Sequence, residues 1–232
     1  MTDSTIIGGR YASSPCMAAE IAPDYFDPAG VDPQQAHDVA QWRKSKRAEL
    51  LARRRALRVD ERVAVSTAIV GHLRDFLAER LDGARGKVVS AYWPIKGEPD
   101  LRVLMTELAK SGATIALPLV ETRAAPLVFR RWEPRMKMVR GNWNILVPPP
   151  DAEELVPDIT LAPVVGWDNH AFRLGYGGGY FDRTLAALAP RPYTIGIGFQ
   201  TAKLATIFPQ PHDIALDAII TETGHQPTEA PT

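Results

Sequence analysis

The sequence predicts an α/β fold, a single domain whose largely parallel central sheet is flanked by helices. Three observations carry that reading. Short β-branched or aromatic runs bounded by Gly, Pro and Asp recur from Lys87 onward, which is the signature of strands. Segments of helical spacing lie between them, so that β, α, β units repeat and favour parallel pairing. The chain of 232 residues, 45% hydrophobic and 23% charged, has the composition of an ordinary globular protein and is long enough to bury a core without disulfides or metals.

Along the chain, residues 1–38 form an irregular extension, with Gly8, Gly9, Pro15, Pro23, Pro28, Gly30 and Pro33 and no regular period. From 39 the pattern changes. Val39, Trp42, Leu50, Leu51 and Leu57 spaced among Arg and Lys predict one amphipathic helix over Asp38–Leu57. Val63, Ile69, Val70, Leu73, Phe76 and Leu77 predict a second, with Asp60 as its cap. Strands are expected at Lys87–Trp93, Thr114–Val120, Leu127–Trp132, Ile159–Val165, Tyr193–Phe199 and Ala218–Thr221. Helices are expected at Leu101–Lys110 and from Gly179 to Leu188. Residues 133–157 are Pro-rich and irregular, a length at which a loop is either a functional flap or disordered. The main domain is expected over 39–224 and a frayed tail over 225–232.

Charge and composition narrow the function. The 27 basic side chains are balanced by 27 acidic ones, so no surface is built as a whole to bind nucleic acid or an anionic membrane, and any polyanion site must be focal. No window reaches the roughly 18 to 20 apolar residues of a spanning helix, and the N-terminus lacks the basic and apolar regions of a secretory signal. A cytoplasmic protein is expected. Cys16 is the single cysteine, and His37, His72, His170, His212 and His225 show no paired spacing, which argues against a zinc centre.

The densest chemical signal is Arg173-Leu174-Gly175-Tyr176-Gly177-Gly178-Gly179-Tyr180-Phe181-Asp182-Arg183, placed between the strand ending at Val165 and the helix beginning near Thr184. Such a turn lets backbone N–H groups approach a phosphate, and the helix N-terminus adds partial positive charge. Arg173 adds a full charge and Asp182 a hard oxygen ligand. The stretch is neither a Walker A loop nor a G-x-G-x-x-G fingerprint, and on its own a flexible glycine turn explains it as well.

The exact order of this block resembles the most diagnostic segment of the 5-formyltetrahydrofolate cyclo-ligase (5,10-methenyltetrahydrofolate synthetase) family, and the resemblance extends from about Arg43 to Glu222. It implies a fold akin to sugar-phosphate isomerases and CoA transferases. It also implies an ATP-dependent ligase that cyclises 5-formyltetrahydrofolate to 5,10-methenyltetrahydrofolate with release of ADP and phosphate. Residue by residue, the family's basic pair on the first helix corresponds to Arg43 and Arg47, whose four-residue spacing puts them on one helical face. These two, Arg173, Gly175, Gly177, Gly178, Gly179 and Phe181 would hold ATP. Arg173 and Tyr180 would act in catalysis. Glu98, in Tyr92-Trp93-Pro94-Ile95-Lys96-Gly97-Glu98, would meet the folate with Trp93, Tyr176, Tyr180 and Trp143, the last of these as an aromatic lid. Asp182 and Asp213 would hold Mg²⁺. Ala171 stands where most members have glycine and Trp167 where they have Phe. The implied partner is a reduced folate, with no nucleic acid or membrane. The competing reading is a non-catalytic regulator of the same fold that binds a phosphosugar or another anion.

Overall fold

The computed structural model describes residues 33–229. The part of the expected extension that precedes Pro33 lies outside these residues, while 33–38 are already helical. Helix α1 runs over Pro33–Ala56 and α2 over Val59–Arg80. Proline suits the first helical position because its missing N–H has no partner there in any case. The second helix is capped differently from expectation. Arg58 is its N-cap residue and its backbone N–H donates to Glu61 at 2.7 Å, while Asp60 lies inside the first turn and pairs with the Arg58 side chain.

The remaining elements are β1 (Val88–Ser90), α3 (Arg102–Lys110), β2 (Thr114–Leu119), β3 (Val128–Trp132), β4 (Val139–Arg140), β5 (Leu146–Val147), β6 (Ile159–Pro163), β7 (Gly166–Trp167), β8 (Arg173–Leu174), α4 (Tyr180–Ala187), β9 (Tyr193–Ile197), β10 (Ala218–Thr221) and β11 (Gly224–Gln226). Seven strands form one sheet in the order β11-β10-β9-β6-β1-β2-β3. The pairs from β10 to β2 are parallel, and the two outermost strands, β3 and β11, are antiparallel. The expected α/β domain is therefore present, with antiparallel edges.

The tail departs from expectation. Gly224–Gln226 pairs with β10, and the Gln226 side chain is buried, donating to Thr221, Thr223 and Gly224. A strand that protects a sheet edge does not need an apolar run, so its polar composition hid it. Residues 133–157 are likewise ordered, around the β4–β5 hairpin.

The central strands are buried on both faces, as parallel strands covered by helices must be. Alternate residues serve opposite cores. Leu161, Ile195, Ile197, Ala218 and Ile220 face a cluster made with α2 and α3, through Ile69, Leu73, Leu77, Leu104 and Met105. Ala162 and Ile219 face a second cluster with Leu50 of α1, Leu185 of α4, and Trp167 and Leu174 of the β7–β8 hairpin. Trp167 is fully buried and donates its indole N–H to the Phe199 carbonyl at 3.0 Å. Asp217, to which the sequence assigned no role, accepts from the Thr194 N–H and hydroxyl and pairs with Arg191, fastening β9 to the segment that enters β10.

Strand order sets where a ligand can sit. From β1 the chain moves to β2 on one side of the sheet, whereas β6, β9 and β10 continue on the other. The crevice beyond the carboxyl ends of β1 and β6 is thus a topological switch point, the usual ligand position in an open α/β sheet.

Candidate active site

A cleft of about 870 Å³ opens at that switch point, near the upper end of the range of about 300–1,000 Å³ for small-molecule sites. Its walls come from α1, the loop after β1, the β4–β5 hairpin and the turn from β8 into α4. The sequence-expected residues Arg43, Arg47, Trp93, Glu98, Trp143, Arg173, Gly175, Tyr176, Gly177, Gly178, Gly179, Tyr180, Phe181, Asp182 and Asp213 all line it.

One end is made by the glycine turn. Gly177 and Gly179 have φ of +101° and +63°, in the region that glycine occupies without strain. A Cβ on Gly177 would lie 3.3 Å from the Arg47 guanidinium carbon, so the turn and α1 are in close contact. Arg47 donates from Nε to the Gly175 carbonyl at 2.6 Å. Gly179 is the N-cap of α4, no side chain caps that helix end, and the helix's first residues line the cleft. Arg183, quoted in the motif without a role, donates to the Gly178 carbonyl and stacks on the Tyr180 ring.

Charges at this end are paired. Arg173, 7% exposed, meets Asp182 at 3.0 Å, donates to the Ile214 carbonyl at 3.3 Å and stacks on Phe181. Arg43 makes an ion pair with Asp213 and donates to the Ile207 and Phe208 carbonyls at 3.0 and 2.8 Å. The Ile214 N–H donates to Asp182 at 3.2 Å, which brings the segments of the two carboxylates together. Ala171 has a φ of +59° and is buried, so the backbone here takes a left-handed form that glycine would adopt without strain. The turn is held by Asp168, which accepts N–H groups from His170, Phe172 and Ile207.

The other end is aromatic. Glu98 is buried; one oxygen accepts the Ile95 N–H at 2.8 Å and the other accepts the Tyr176 hydroxyl at 2.7 Å. Burial pushes the Glu98 carboxyl above the ordinary carboxylate range, opposed by those two hydrogen bonds and by the charges of Arg54 and Lys96. Burial likewise pushes the phenols of Tyr92 and Tyr176 up, so both remain protonated. The Tyr180 ring meets Trp143 at 5.8 Å edge-on, and its hydroxyl accepts the Ala124 N–H at 3.5 Å. Trp143 is 41% exposed on the tip of the β4–β5 hairpin, where Asn142 donates to the Val120 carbonyl at 2.6 Å. Trp93 stacks under Arg102 and reaches the cleft from the loop after β1.

Sequence reasoning missed Arg54. It lies in the run Arg53-Arg54-Arg55, which reads as a solvated face, yet its neighbours are exposed while Arg54 is 5% exposed and donates to the Tyr176 hydroxyl at 2.9 Å. The available signal was its place seven residues after Arg47, two helical turns along the same face. Tyr92 was also passed over; it lines the cleft and donates to the Pro99 carbonyl at 3.0 Å.

A glycine turn feeding an uncapped helix, two arginine–carboxylate pairs and an aromatic end with one buried carboxylate give a cleft whose two ends suit phosphate and an aromatic ring. The characteristic sequence pattern of the 5-formyltetrahydrofolate cyclo-ligase family matches residues 39–222, and the chain belongs to that family of ATP-dependent ligases. A 5-formyltetrahydrofolate cyclo-ligase of Mycolicibacterium smegmatis is 32% identical over 144 residues, covering 59% of this chain and 74% of that protein. One of Haemophilus influenzae is 24% identical over 78% of this chain and 97% of its own length. The solved structure of a 5,10-methenyltetrahydrofolate synthetase from Aquifex aeolicus superposes with a TM-score of 0.68 at 25% identity, covering 82% of this chain and 94% of that one. The family expected from the glycine block is thus the family found.

Proposed function

We propose that this cleft carries out the ATP-dependent cyclisation of 5-formyltetrahydrofolate to 5,10-methenyltetrahydrofolate, with ATP at the glycine turn and the reduced folate at the aromatic end. The observation that supports it most is that one continuous cleft contains both the glycine turn and the buried Glu98. In the reaction, the formyl oxygen forms a bond to the γ-phosphorus as the bond to the β–γ bridging oxygen breaks and its electron pair leaves with ADP. The N5 lone pair makes the formyl carbon an iminium carbon. N10 attacks it, closing the ring, and loses its proton, and the C–O bond then breaks, releasing inorganic phosphate and leaving the conjugated methenyl C=N bond.

The protein's part is alignment and charge stabilisation, which dominate phosphoryl transfer. Arg173, Arg47 and the N–H groups from Gly177 to Phe181 would face the triphosphate, with Arg173 closest to the developing charge. Arg43 would release Asp213 to a metal and turn to phosphate. Glu98 would accept the ring's amino and amide N–H groups. Trp143 and Trp93 would close on the ring, and Tyr180 would supply an aromatic wall to it with its hydroxyl already engaged.

Asp182 and Asp213 suit a hard cation as oxygen donors and would supply two of the six oxygens of a magnesium ion, and no group of three or more acidic, His or Cys side chains positioned to hold a metal occurs among the described residues. The pair therefore fits Mg²⁺ that arrives bound to ATP, whose charge would neutralise the phosphates. No helix among the described residues is long and apolar enough to cross a membrane. The cytoplasm, where ATP and reduced folates are available, is the proposed compartment. Incubation with 5-formyltetrahydrofolate, ATP and Mg²⁺ should give the absorbance of the conjugated methenyl product together with ADP. Tight anion binding with no folate-dependent ADP release would instead support the regulator.

A further inference from the structure

Arg54 is a guanidinium buried behind the cleft with no carboxylate paired to it among the described residues. Its side chain makes one hydrogen bond, to the Tyr176 hydroxyl at 2.9 Å, and lies over the Tyr176 ring at 5.8 Å; its Nε is buried without a partner. A charge buried at that expense calls for a reason. The contact fixes a direction. A guanidinium only donates, so the Tyr176 oxygen must accept from Arg54, and the single phenolic hydrogen then points at Glu98, 2.7 Å away. Glu98 therefore accepts that hydrogen, which a carboxylate does better than a neutral carboxyl, so the contact favours the ionised form. Its other oxygen already holds the Ile95 N–H, so the remaining lone pairs are the ones available to a ligand in the cleft.

We propose that Arg54 is a positioning residue for the folate end: through Tyr176 it holds Glu98 ionised and oriented, although Arg54 itself does not line the cleft. This rests on the assignment of Glu98 to the folate. The groups around Glu98 are Arg54 from α1, Tyr176 from the glycine turn, Tyr92 at the end of β1, and Lys96 on Glu98's own loop. Tyr92 and Tyr176 stay neutral, and Lys96 is exposed, so Arg54 is the buried cation that opposes protonation of Glu98. The same contact ties the far end of α1 to the turn that carries the glycines. Arg43, Arg47, Leu50 and Arg54 share one face, and at about 1.5 Å per residue this face runs roughly 16 Å along the cleft.

The test uses the full chain and two readouts: equilibrium binding of 5-formyltetrahydrofolate without ATP, followed by tryptophan fluorescence, and steady-state kinetics from pH 5 to 8. Arg54→Met should weaken folate binding at neutral pH about tenfold or more, the scale for losing a charge-assisted contact. It should leave the KM for ATP within about twofold and move the acid limb of kcat/KM for folate to higher pH. Arg54→Lys should recover much of both. If Arg54→Met unfolds the protein, Arg54→Lys and Tyr176→Phe carry the test, with only Tyr176→Phe expected to move the acid limb. A folded Arg54→Met variant with unchanged folate binding, or with equal losses for ATP and folate and no movement of the limb, would overturn the proposal. So would an unmoved limb in Tyr176→Phe. Glu98→Gln separates the two readings: if it binds folate normally, the folate assignment has failed, whereas weak binding in Glu98→Gln beside normal binding in Arg54→Met removes only the role of Arg54.

Discussion

The two ends of the cleft both hold charge against a largely buried surface, and they do so in opposite ways. At the glycine turn two arginines have an anion within the protein, Arg43 with Asp213 and Arg173 with Asp182, while Arg47 and Arg183 donate to the Gly175 and Gly178 carbonyls. At the aromatic end Glu98 has no ion pair among the described residues, and Arg54 reaches it through a tyrosine hydroxyl. Paired charges make a site that stays folded when empty and can exchange partners when a polyanion arrives. A carboxylate joined to its cation by a neutral relay stays open to a ligand's hydrogen bonds instead. The comparison therefore predicts different failures at the two ends: loss of rate at the first, altered pH dependence at the second.

The largest effect is expected at the first end. Arg173→Lys keeps the charge but loses the planar fork that spans Asp182 and the Ile214 carbonyl. Steady-state kinetics should show kcat falling about 10²- to 10³-fold, the scale of a lost transition-state donor, with ATP affinity falling much less. A variant in which kcat is unchanged while ATP affinity drops would make Arg173 a ground-state anchor and erase the contrast between the ends.

A smaller effect distinguishes backbone from side chain within the turn. Alanine at Gly177 must adopt φ near +101° and place its methyl against Arg47, whereas a methyl at Gly175 meets nothing within 4 Å. Left-handed geometry alone penalises an L-residue by about 1–2 kcal/mol. Gly177→Ala should raise the KM for ATP about tenfold, and Gly175→Ala should stay within about twofold of the parent. Equal effects in the two variants would mean that the turn rearranges when ATP binds.

The same difference explains what could be read from the sequence. The glycine-turn end is a contiguous motif, Arg173 to Arg183, so its chemistry and spacing stand in a single line of text, whereas Arg43 and Arg47 came from the family resemblance, helical periodicity adding that they share one face. The aromatic end is assembled from α1, the loop after β1, the β4–β5 hairpin and the glycine turn, and only the sheet order brings these together. Glu98 and Trp143 were reached through family resemblance, since no local pattern marks them. Arg54 was lost because burial of one arginine among three is decided by tertiary packing. The strand at Gly224–Gln226 escaped for a related reason, being a polar edge whose partner is set by the fold. The central strands and α3 were legible because parallel strands buried on two faces leave dense apolar runs.

The smallest expected effect belongs to the second end, and it turns on sign. Burial holds the Glu98 carboxyl above its ordinary range, so the folded protein binds that proton more tightly than the unfolded chain does. The stability this contributes is fully present below the unfolded value and is lost as pH rises through the folded one. Folate affinity should run the other way, because the ring's N–H groups need the carboxylate, so binding should strengthen over the same interval. Urea unfolding and folate titration across that interval should give slopes of opposite sign, the first no steeper than about 1.4 kcal/mol per pH unit for a single proton. Glu98→Gln has no proton to bind there and should lose that component from both curves, while the paired charges at the glycine turn are untouched. If both slopes persist in Glu98→Gln, another group carries the proton and the aromatic end is compensated after all. If only the folate slope disappears, Glu98 reads the ligand but titrates in the folded protein as it does in the unfolded chain, and the relay from Arg54 is strong enough to cancel the effect of burial.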